Sequence, residues 1–472
     1  MRIILNGNIN RTYVQTLCML FFRGEKFPEN EENPTKIITV TATDLKNGIE
    51  CTCELFVDGK KSTAIAFEYL EDFESYERAS KTVVGKAVYK AGVSLTSHKT
   101  PWGILTGIRP SKIASELLLN LDEQNAKGTL MSRYLLSEDK ASLAVTVAKN
   151  EAQVLSLNGN EVCSVYISIP FCPSRCNYCS FISYATPKLF ELIPKYLEKL
   201  KADIISTFKE IKDKGMRVIT VYIGGGTPTI LNDFQLKELL EVIRGAVDTS
   251  SLLEFSLEAG RPDTITESKL KIAKEYGVNR ISVNPQTLND DVLRLIGRRH
   301  TANDFFDAYD RVKNSGIGLI NTDLIVGLDG DSFEGFKYTL DGILTLNPEN
   351  ITVHAFSVKK SAQILRDNSE IYDKEGEFAV KSMDYANQAL ISKGYVPYYM
   401  YRQKNTICDL ENVGYAKPGC FGIYNVLMMS DLHTVYGIGA GATTKIVCNT
   451  NGKIEINRIF SPKYPYEYLQ NH

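Results

Sequence analysis

One tryptophan and five histidines occur in 472 residues, and lysine plus arginine (54) nearly balances aspartate plus glutamate (56). With a net charge of −2 and a pI near 6.3, the chain lacks the basic surplus that a sequence-independent nucleic-acid binder needs. It has no run of eighteen apolar residues, so no transmembrane helix is expected. The opening Met1-Arg2-Ile3-Ile4-Leu5-Asn6-Gly7 reads as a strand and turn, without the apolar stretch and cleavage site of a signal peptide. Ten cysteines with no secretory leader argue against a disulfide framework and for a reducing, cytoplasmic setting with a metal site. The length allows two or three domains.

What is present is concentrated in Tyr166-Ile167-Ser168-Ile169-Pro170-Phe171-Cys172-Pro173-Ser174-Arg175-Cys176-Asn177-Tyr178-Cys179-Ser180-Phe181. Cys172, Cys176 and Cys179 form a C-x3-C-x2-C loop directly after a β-type run. Three thiolates so close together can reach three corners of an iron–sulfur cube and leave one iron open. The alternatives are a structural zinc loop or three unrelated core cysteines. Structural zinc takes four ligands, and no fourth Cys or His lies nearby; Cys163 sits too far back on the strand. Of the other cysteines, Cys18, Cys163 and Cys448 have apolar neighbours, whereas Cys51, Cys53, Cys408 and Cys420 carry no readable role.

Residues 1–155 read as an N-terminal α+β domain. A strand at Arg2–Leu5 precedes an apolar helix over Tyr13–Phe22. Alternating runs Lys36–Thr43, Ile49–Val57 and Thr63–Tyr69 then predict an antiparallel meander, with a hairpin at Asp58-Gly59. A helix is expected over Phe73–Ala91. From Val162 the pattern becomes alternating strand and helix, with strands at 162–169, 217–223, 253–259, 279–284, 319–326 and 350–357. Periodicity alone allows an open doubly wound sheet or six units of a barrel. In both, active groups belong at the carboxyl ends of the strands. After residue 395 the rhythm stops, and residues 396–472 read as a C-terminal covering element.

The strand ends carry the polar motifs. Gly224-Gly225-Gly226-Thr227 follows the second strand, and its glycines permit positive φ and leave amides free for a polar ligand, or simply make a tight turn. Glu258 ends the third strand as a ligand acceptor or a solvated acid. Gln286 follows the fourth, and Arg280 on that strand shares a face with Ser282. Arg298, followed by Arg299, suits a carboxylate or caps a solvated helix end. Asp323, inside an apolar run of the fifth strand, needs a partner or a cavity. His354 beside Ala355 on the sixth reads as structural.

With its aromatic before the last cysteine, the loop resembles the radical S-adenosylmethionine (SAM) superfamily. Tyr166, Pro170-Phe171-Cys172, Cys176 and Tyr178-Cys179 resemble its oxygen-independent coproporphyrinogen III oxidase/dehydrogenase family. Thr106-Gly107-Ile108-Arg109-Pro110-Ser111-Lys112, Tyr401-Arg402-Gln403-Lys404 and Leu410-Glu411-Asn412-Val413-Gly414-Tyr415-Ala416 resemble its HemZ type. The resemblance implies an α/β fold, a partial (β/α)6 barrel over 160–395. It implies a 4Fe–4S cluster on the three cysteines and SAM held by Tyr166, Tyr178, Gly225, Gly226, Thr227, Glu258, Gln286, Arg298, Asp323 and the Ala355 backbone, with Tyr166 also catalytic. The implied reaction abstracts a propionate β-hydrogen through the 5′-deoxyadenosyl radical, and loss of carbon dioxide and one electron then leaves a vinyl group, twice per substrate. It turns coproporphyrinogen III into protoporphyrinogen IX, with a flavodoxin- or ferredoxin-like electron donor. Two positions depart from the family: Ser168 replaces a histidine, which puts turnover of the usual substrate in doubt, and Asp329 follows Gly327-Leu328 in place of proline.

Three other readings stay open. A heme-binding chaperone on the same fold is disfavoured, because no histidine here precedes Asn and the sole tryptophan is Trp102, so its His-Asn-x-x-Tyr-Trp motif is missing. A radical SAM methyltransferase acting on heme is separated by its product. An RNA-modifying enzyme is disfavoured by charge. Finally, a tetra-anionic tetrapyrrole needs fixed cations beside a flat apolar surface. The segment His98–Lys112 offers Lys99, Arg109 and Lys112 around Trp102; its alternative is a helix start at Pro110 with Arg109 in solvent.

Overall fold

The computed structural model describes residues 1–29, 34–107, 109–179, 185–357, 376–403, 406–450 and 453–470. Ile108, Ser180, Phe181 and Lys404 of the motifs above lie outside the described residues. The chain forms two compact units, Met1–Ala148 and Lys149–His472.

In the first unit, β1 (Arg2–Asn6), β2 (Lys36–Leu45), β3 (Gly48–Val57) and β4 (Lys60–Tyr69) make one sheet in that order. β1 runs parallel to β2, and the rest form the expected antiparallel meander. The β3–β4 turn has positive φ at both Asp58 (48°) and Gly59 (83°), as a tight hairpin that follows strand twist requires. The long helix runs over Tyr76–Thr96 rather than Phe73–Ala91, because the Ser75 side chain accepts from the Arg78 amide and fixes the start. Its buried Val83, Val84, Ala87 and Val88 share a core with Ile49, Cys51, Cys53 and Leu55, alternate residues of β3. Cys51 and Cys53 are therefore packing residues, and burial pushes the Cys51 thiol up to about 12.

In the second unit, β5 (Val162–Ile169), β6 (Arg217–Gly225), β7 (Glu254–Glu258), β8 (Arg280–Ser282), β9 (Leu319–Val326) and β10 (Asn350–Ala355) are consecutive parallel neighbours. The fourth strand is shorter than expected, since the chain leaves the ladder before Gln286, whose φ is +67°. Residues after 395 widen the same sheet at both edges. β11 (Val396–Arg402) and β12 (Glu411–Ala416) add beside β10. β13 (Thr434–Ile438) joins β5 in parallel and leads into β14 (Thr443–Thr450) and β15 (Lys453–Phe460).

One face of β5 is apolar and fully buried at Cys163, Val165, Ile167 and Ile169. Ser164, Tyr166 and Ser168 alternate with them on the other face. At the amino end of the strands, Arg280 pairs with Glu254 at 3.1 Å and donates to the carbonyls of Cys420 (3.0 Å) and Phe421 (2.9 Å). Arg280 thus ties the C-terminal segment to the sheet, at the end opposite the glycine turn that closes β6. Among the described residues no helix is long and apolar enough to cross a membrane.

Candidate functional site

The cysteine loop is pinned by the turn after helix Asp290–Leu295. Ser174 Oγ donates to the Gly297 carbonyl (3.1 Å), and Asn177 donates through its amide to Ile296 (3.1 Å) and through Nδ2 to Leu295 (2.8 Å). Gly297 has φ +79°, and a Cβ there would meet the Arg175 carbonyl at 3.0 Å, so the turn needs glycine to come this close. Cys172 Sγ lies 3.2 Å from Thr227 Oγ1, and Arg261 Nη1 donates to Cys176 Sγ at 3.1 Å. Burial pushes the Cys172 thiol up to about 12, so a bound metal is what would hold it as thiolate. Arg298 is also buried beside Cys176; burial disfavours its charge, but Tyr178 and Cys176 favour it and raise its pKa. Two buried guanidinium groups against one thiol suit a cluster that brings negative charge with its sulfur. Among the described residues no three His, Cys, Asp or Glu side chains converge as ligands of a single metal ion.

The glycine turn beside the loop corrects one expectation. Its amides are not free: Gly226 N–H goes to Ile169 O (2.8 Å), Thr227 N–H to Phe171 O (2.7 Å), and Gly225 N–H to the Glu258 carboxylate. A Cβ at Gly226 would lie 2.4 Å from the Phe171 carbonyl, and one at Gly224 would lie 2.6 Å from Glu258 Oε2. The glycines let the cysteine loop and Glu258 close against β6, and carbonyl oxygens are the groups the turn can turn toward a ligand.

Two acids stand at the strand ends in different states. Burial, reinforced by the charge of Asp323, raises the Glu258 carboxyl to about 8. Burial would raise Asp323 as well, but hydrogen bonds from His354, Asn321 and Thr352 outweigh it and lower its pKa. Asn321 Nδ2 reaches one Asp323 oxygen at 2.8 Å and Asn284 Nδ2 the other at 2.9 Å, with His354 Nε2 at 3.8 Å. Near neutral pH, Asp323 is a fixed anion and Glu258 holds a transferable proton.

These groups line one cavity of about 230 Å³. Cys172, Cys176, Tyr178, Cys179, Gly225, Gly226, Thr227, Glu258, Gln286, Arg298, Asp323 and Ala355 all contribute to its wall. Tyr166 does not. Its ring stacks with Tyr222 (6.0 Å) and Tyr424 (6.3 Å), on the face of β5 opposite the apolar one. Arg109 and Lys112 lie in the other unit. Within the cavity wall, Gln286 Oε1 and Arg298 Nε are buried without a hydrogen-bond partner among the described residues. An orphaned acceptor and an orphaned donor in one wall match a ligand carrying both ammonium and carboxylate, as SAM does.

Several wall residues escaped the sequence reading. Arg261 lies three residues beyond Glu258, and Asn284 two before Gln286, so proximity to a strand end was the available signal. His354, read as structural, is in the wall, and its Nδ1 lies 3.3 Å from Asn412 Oδ1. Asn412 also accepts the Ala355 amide at 3.1 Å, so Ala355 has its carbonyl to offer a ligand. Tyr401, Gln403 and Asn412 come from β11, β12 and the loop between them, and no local spacing announces their return to the barrel mouth.

Residues 166–343 match the radical SAM superfamily. The chain is 33% identical over 464 residues to the oxygen-independent coproporphyrinogen-III oxidase-like protein HemZ of Bacillus subtilis, covering 96% of this chain and 92% of that protein. It is 38% identical over 197 residues to the heme chaperone HemW of B. subtilis, covering 42% of this chain and 51% of HemW. The solved structure of Escherichia coli coproporphyrinogen III oxidase (HemN), a radical SAM enzyme, shares the fold with a TM-score of 0.54 at 22% identity, covering 68% of this chain and 71% of that one. Identity over nearly the whole length of HemZ, with the radical SAM match centred on the barrel, shows that the chain belongs to the coproporphyrinogen III oxidase-like family of radical SAM proteins, whose superfamily uses a 4Fe–4S cluster and SAM.

Proposed function

We propose that the protein oxidatively decarboxylates the propionates of coproporphyrinogen III to vinyl groups, giving protoporphyrinogen IX without oxygen. The observation that carries this reading is the single cavity that joins the three thiols to Glu258, Gln286, Arg298 and Asp323 at the carboxyl ends of parallel strands. Cys172, Cys176 and Cys179 would hold the cluster. Gln286 Oε1 and the glycine-turn carbonyls would take the ammonium of SAM, Arg298 its carboxylate, and Asp323 a ribose hydroxyl. When bound, cluster and SAM supply one-electron hydrogen abstraction at an unactivated carbon.

The chain's own share is placement and charge. Asn284, Asn321 and His354 orient Asp323 before any ligand arrives, which lowers the cost of ordering it. Glu258, protonated near neutral pH in the empty cavity, would release its proton as a cationic ligand enters. Phe356 and Ile325 in the wall exclude water. A flavodoxin- or ferredoxin-like donor would deliver the electron.

Anaerobic incubation of reconstituted protein with coproporphyrinogen III, SAM and a reductant, followed by porphyrin analysis, tests the reading. Vinyl-bearing product supports it. SAM cleavage without vinyl product overturns it. The identity with HemW supports a second reading as a heme carrier, which predicts stoichiometric heme uptake and transfer with no porphyrin change; a methylated, opened macrocycle would instead mark a methyltransferase.

A further inference from the structure

Cys172 and Cys176 stand in unlike surroundings within one cavity wall. Cys172 Sγ faces a neutral hydroxyl, Thr227 Oγ1 at 3.2 Å, whereas Cys176 Sγ faces the Arg261 guanidinium, whose Nη1 donates to it at 3.1 Å. Arg261 is 3% exposed, and its Nη2 donates to Ser174 Oγ in the same loop. Ser174 Oγ in turn donates to the Gly297 carbonyl at 3.1 Å. One fork thus joins the turn after β7 to the cysteine loop and, through Ser174, to the turn after helix Asp290–Leu295.

The chain fixes that fork from several sides. Pro262, with its preset φ, opens the short helix Pro262–Thr264 directly after Arg261. The Arg261 carbonyl accepts from Thr264 Oγ1 at 2.8 Å, and Thr264 Oγ1 lies 2.6 Å from Thr229 Oγ1, just beyond the glycine turn. The Gly260 carbonyl accepts from Arg298 Nη1 at 3.3 Å. Asp263 pairs with Arg261 Nε at 3.5 Å on the more exposed side, and the two Nη groups are turned to Ser174 and Cys176.

We propose that Arg261 is a positioning residue that sets the reduction potential of the cluster through Cys176. A positive charge and an N–H bond at a ligand sulfur favour the state with more negative charge, and the reduced cluster carries one electron more. Arg261 therefore makes the cluster easier to reduce, and its bond to Ser174 holds the sulfur in place. The inference rests on the three-cysteine assignment and does not depend on which substrate is turned over.

The test is an anaerobic potentiometric titration of the reconstituted full-length protein without SAM, followed by electron paramagnetic resonance of the reduced cluster. Wild type, Arg261→Met, Arg261→Lys and Ser174→Ala are compared, with iron content and SAM binding measured in each. Arg261→Met should shift the redox equilibrium at least tenfold toward the oxidised form, a midpoint about 59 mV lower for one electron. Arg261→Lys keeps the charge and should recover at least half of that shift. Ser174→Ala loses the hydroxyl bonds but keeps the guanidinium, and should stay nearer to wild type than Arg261→Met does. An Arg261→Met midpoint equal to wild type overturns the inference; weaker SAM binding alongside it makes Arg261 a SAM contact instead. Equal shifts in Arg261→Met, Arg261→Lys and Ser174→Ala also overturn it, because loop geometry and not charge then sets the potential. Should Arg261→Met lose its iron, Arg261→Lys decides: a midpoint below wild type upholds the inference and an equal one overturns it. Loss of iron from both Arg261 variants overturns it as well, since Arg261 is then needed to build the loop. Wild type that takes up no cluster removes the cysteine assignment itself, and the inference with it.

Discussion

Charges in the barrel cavity are buried and answered, whereas the N-terminal unit has a cavity lined by Arg78, Lys81, Arg109, Lys112 and Glu116 in which Arg78 pairs with Glu74 and Glu116 while half in water. Arg298 is 7% exposed and donates to the Asn284 carbonyl at 2.6 Å, and Asp323 collects bonds from Asn284 and Asn321. In the N-terminal cavity, the Arg78 side chain is 46% exposed. Removing one partner of a buried charge costs about 3–5 kcal/mol, whereas an exposed pair is worth roughly 0–1 kcal/mol. The barrel charges are therefore built into the fold, and removing one of them disturbs structure together with binding. The Arg78 pairs can be altered with little effect on folding.

The largest effect expected separates the cysteines. Cys172→Ala, Cys176→Ala or Cys179→Ala should abolish a reconstituted content of about four iron and four sulfide per chain, while Cys163→Ala and Cys448→Ala should keep it; an intact cluster in any of the first three breaks the ligand assignment. Next comes Asp323→Ala, which should keep iron but weaken SAM binding about tenfold or more, since a hydrogen bond to a charged group is worth about 1.5–3 kcal/mol. Equilibrium dialysis with labelled SAM measures this, and unchanged affinity takes Asp323 out of the site.

Glu258→Gln tests the buried proton. The folded pKa of Glu258 is about 8, against 4.5 as the reference. Folding therefore favours the protonated form: the contribution is fully present below 4.5, falls as pH rises, and is gone once pH passes about 8. The ligand-free variant should melt progressively higher than wild type across that window. A constant difference in melting temperature would show that Glu258 is ionised in the empty cavity.

A smaller effect is expected at Gln286, held at φ +67° with its Oε1 unpartnered. Gln286→Gly should leave the ligand-free protein as stable or up to about 1 kcal/mol more stable, because relief of the left-handed conformation opposes glycine's entropy, yet bind SAM more weakly. A loss of stability larger than that would show the glutamine to be structural. The smallest effect belongs to the other cavity. Arg78→Ala should change stability by no more than about 1 kcal/mol and leave iron content alone; a larger loss in thermal melts would show that its pairs with Glu74 and Glu116 are part of the fold.

The elements that could be read in advance are those whose signal is local. Strand–helix alternation from Val162 located the six consecutive parallel strands β5 to β10, because burial makes each a short apolar run, but not β13, which comes back from outside that rhythm to join β5 in parallel. The spacing of Cys172, Cys176 and Cys179 lies within one loop. Glu258, Gln286 and Asp323, singled out from their places on or just after successive strands, line one cavity because a parallel sheet opens its carboxyl ends to a common mouth. Tertiary structure alone decided the rest. The amides of Gly226 and Thr227 are consumed because the Phe171 backbone happens to lie against them, which no property of three glycines announces. His354 and Asn412 meet only because β12 returns antiparallel beside β10. Trp102 is core and not platform, and Arg78 and Lys81 join Arg109 and Lys112, because the packing of helices sets which faces share a cavity. Period and spacing are carried by neighbours along the chain, whereas contacts between distant segments depend on how whole elements pack, and the local pattern holds no record of that.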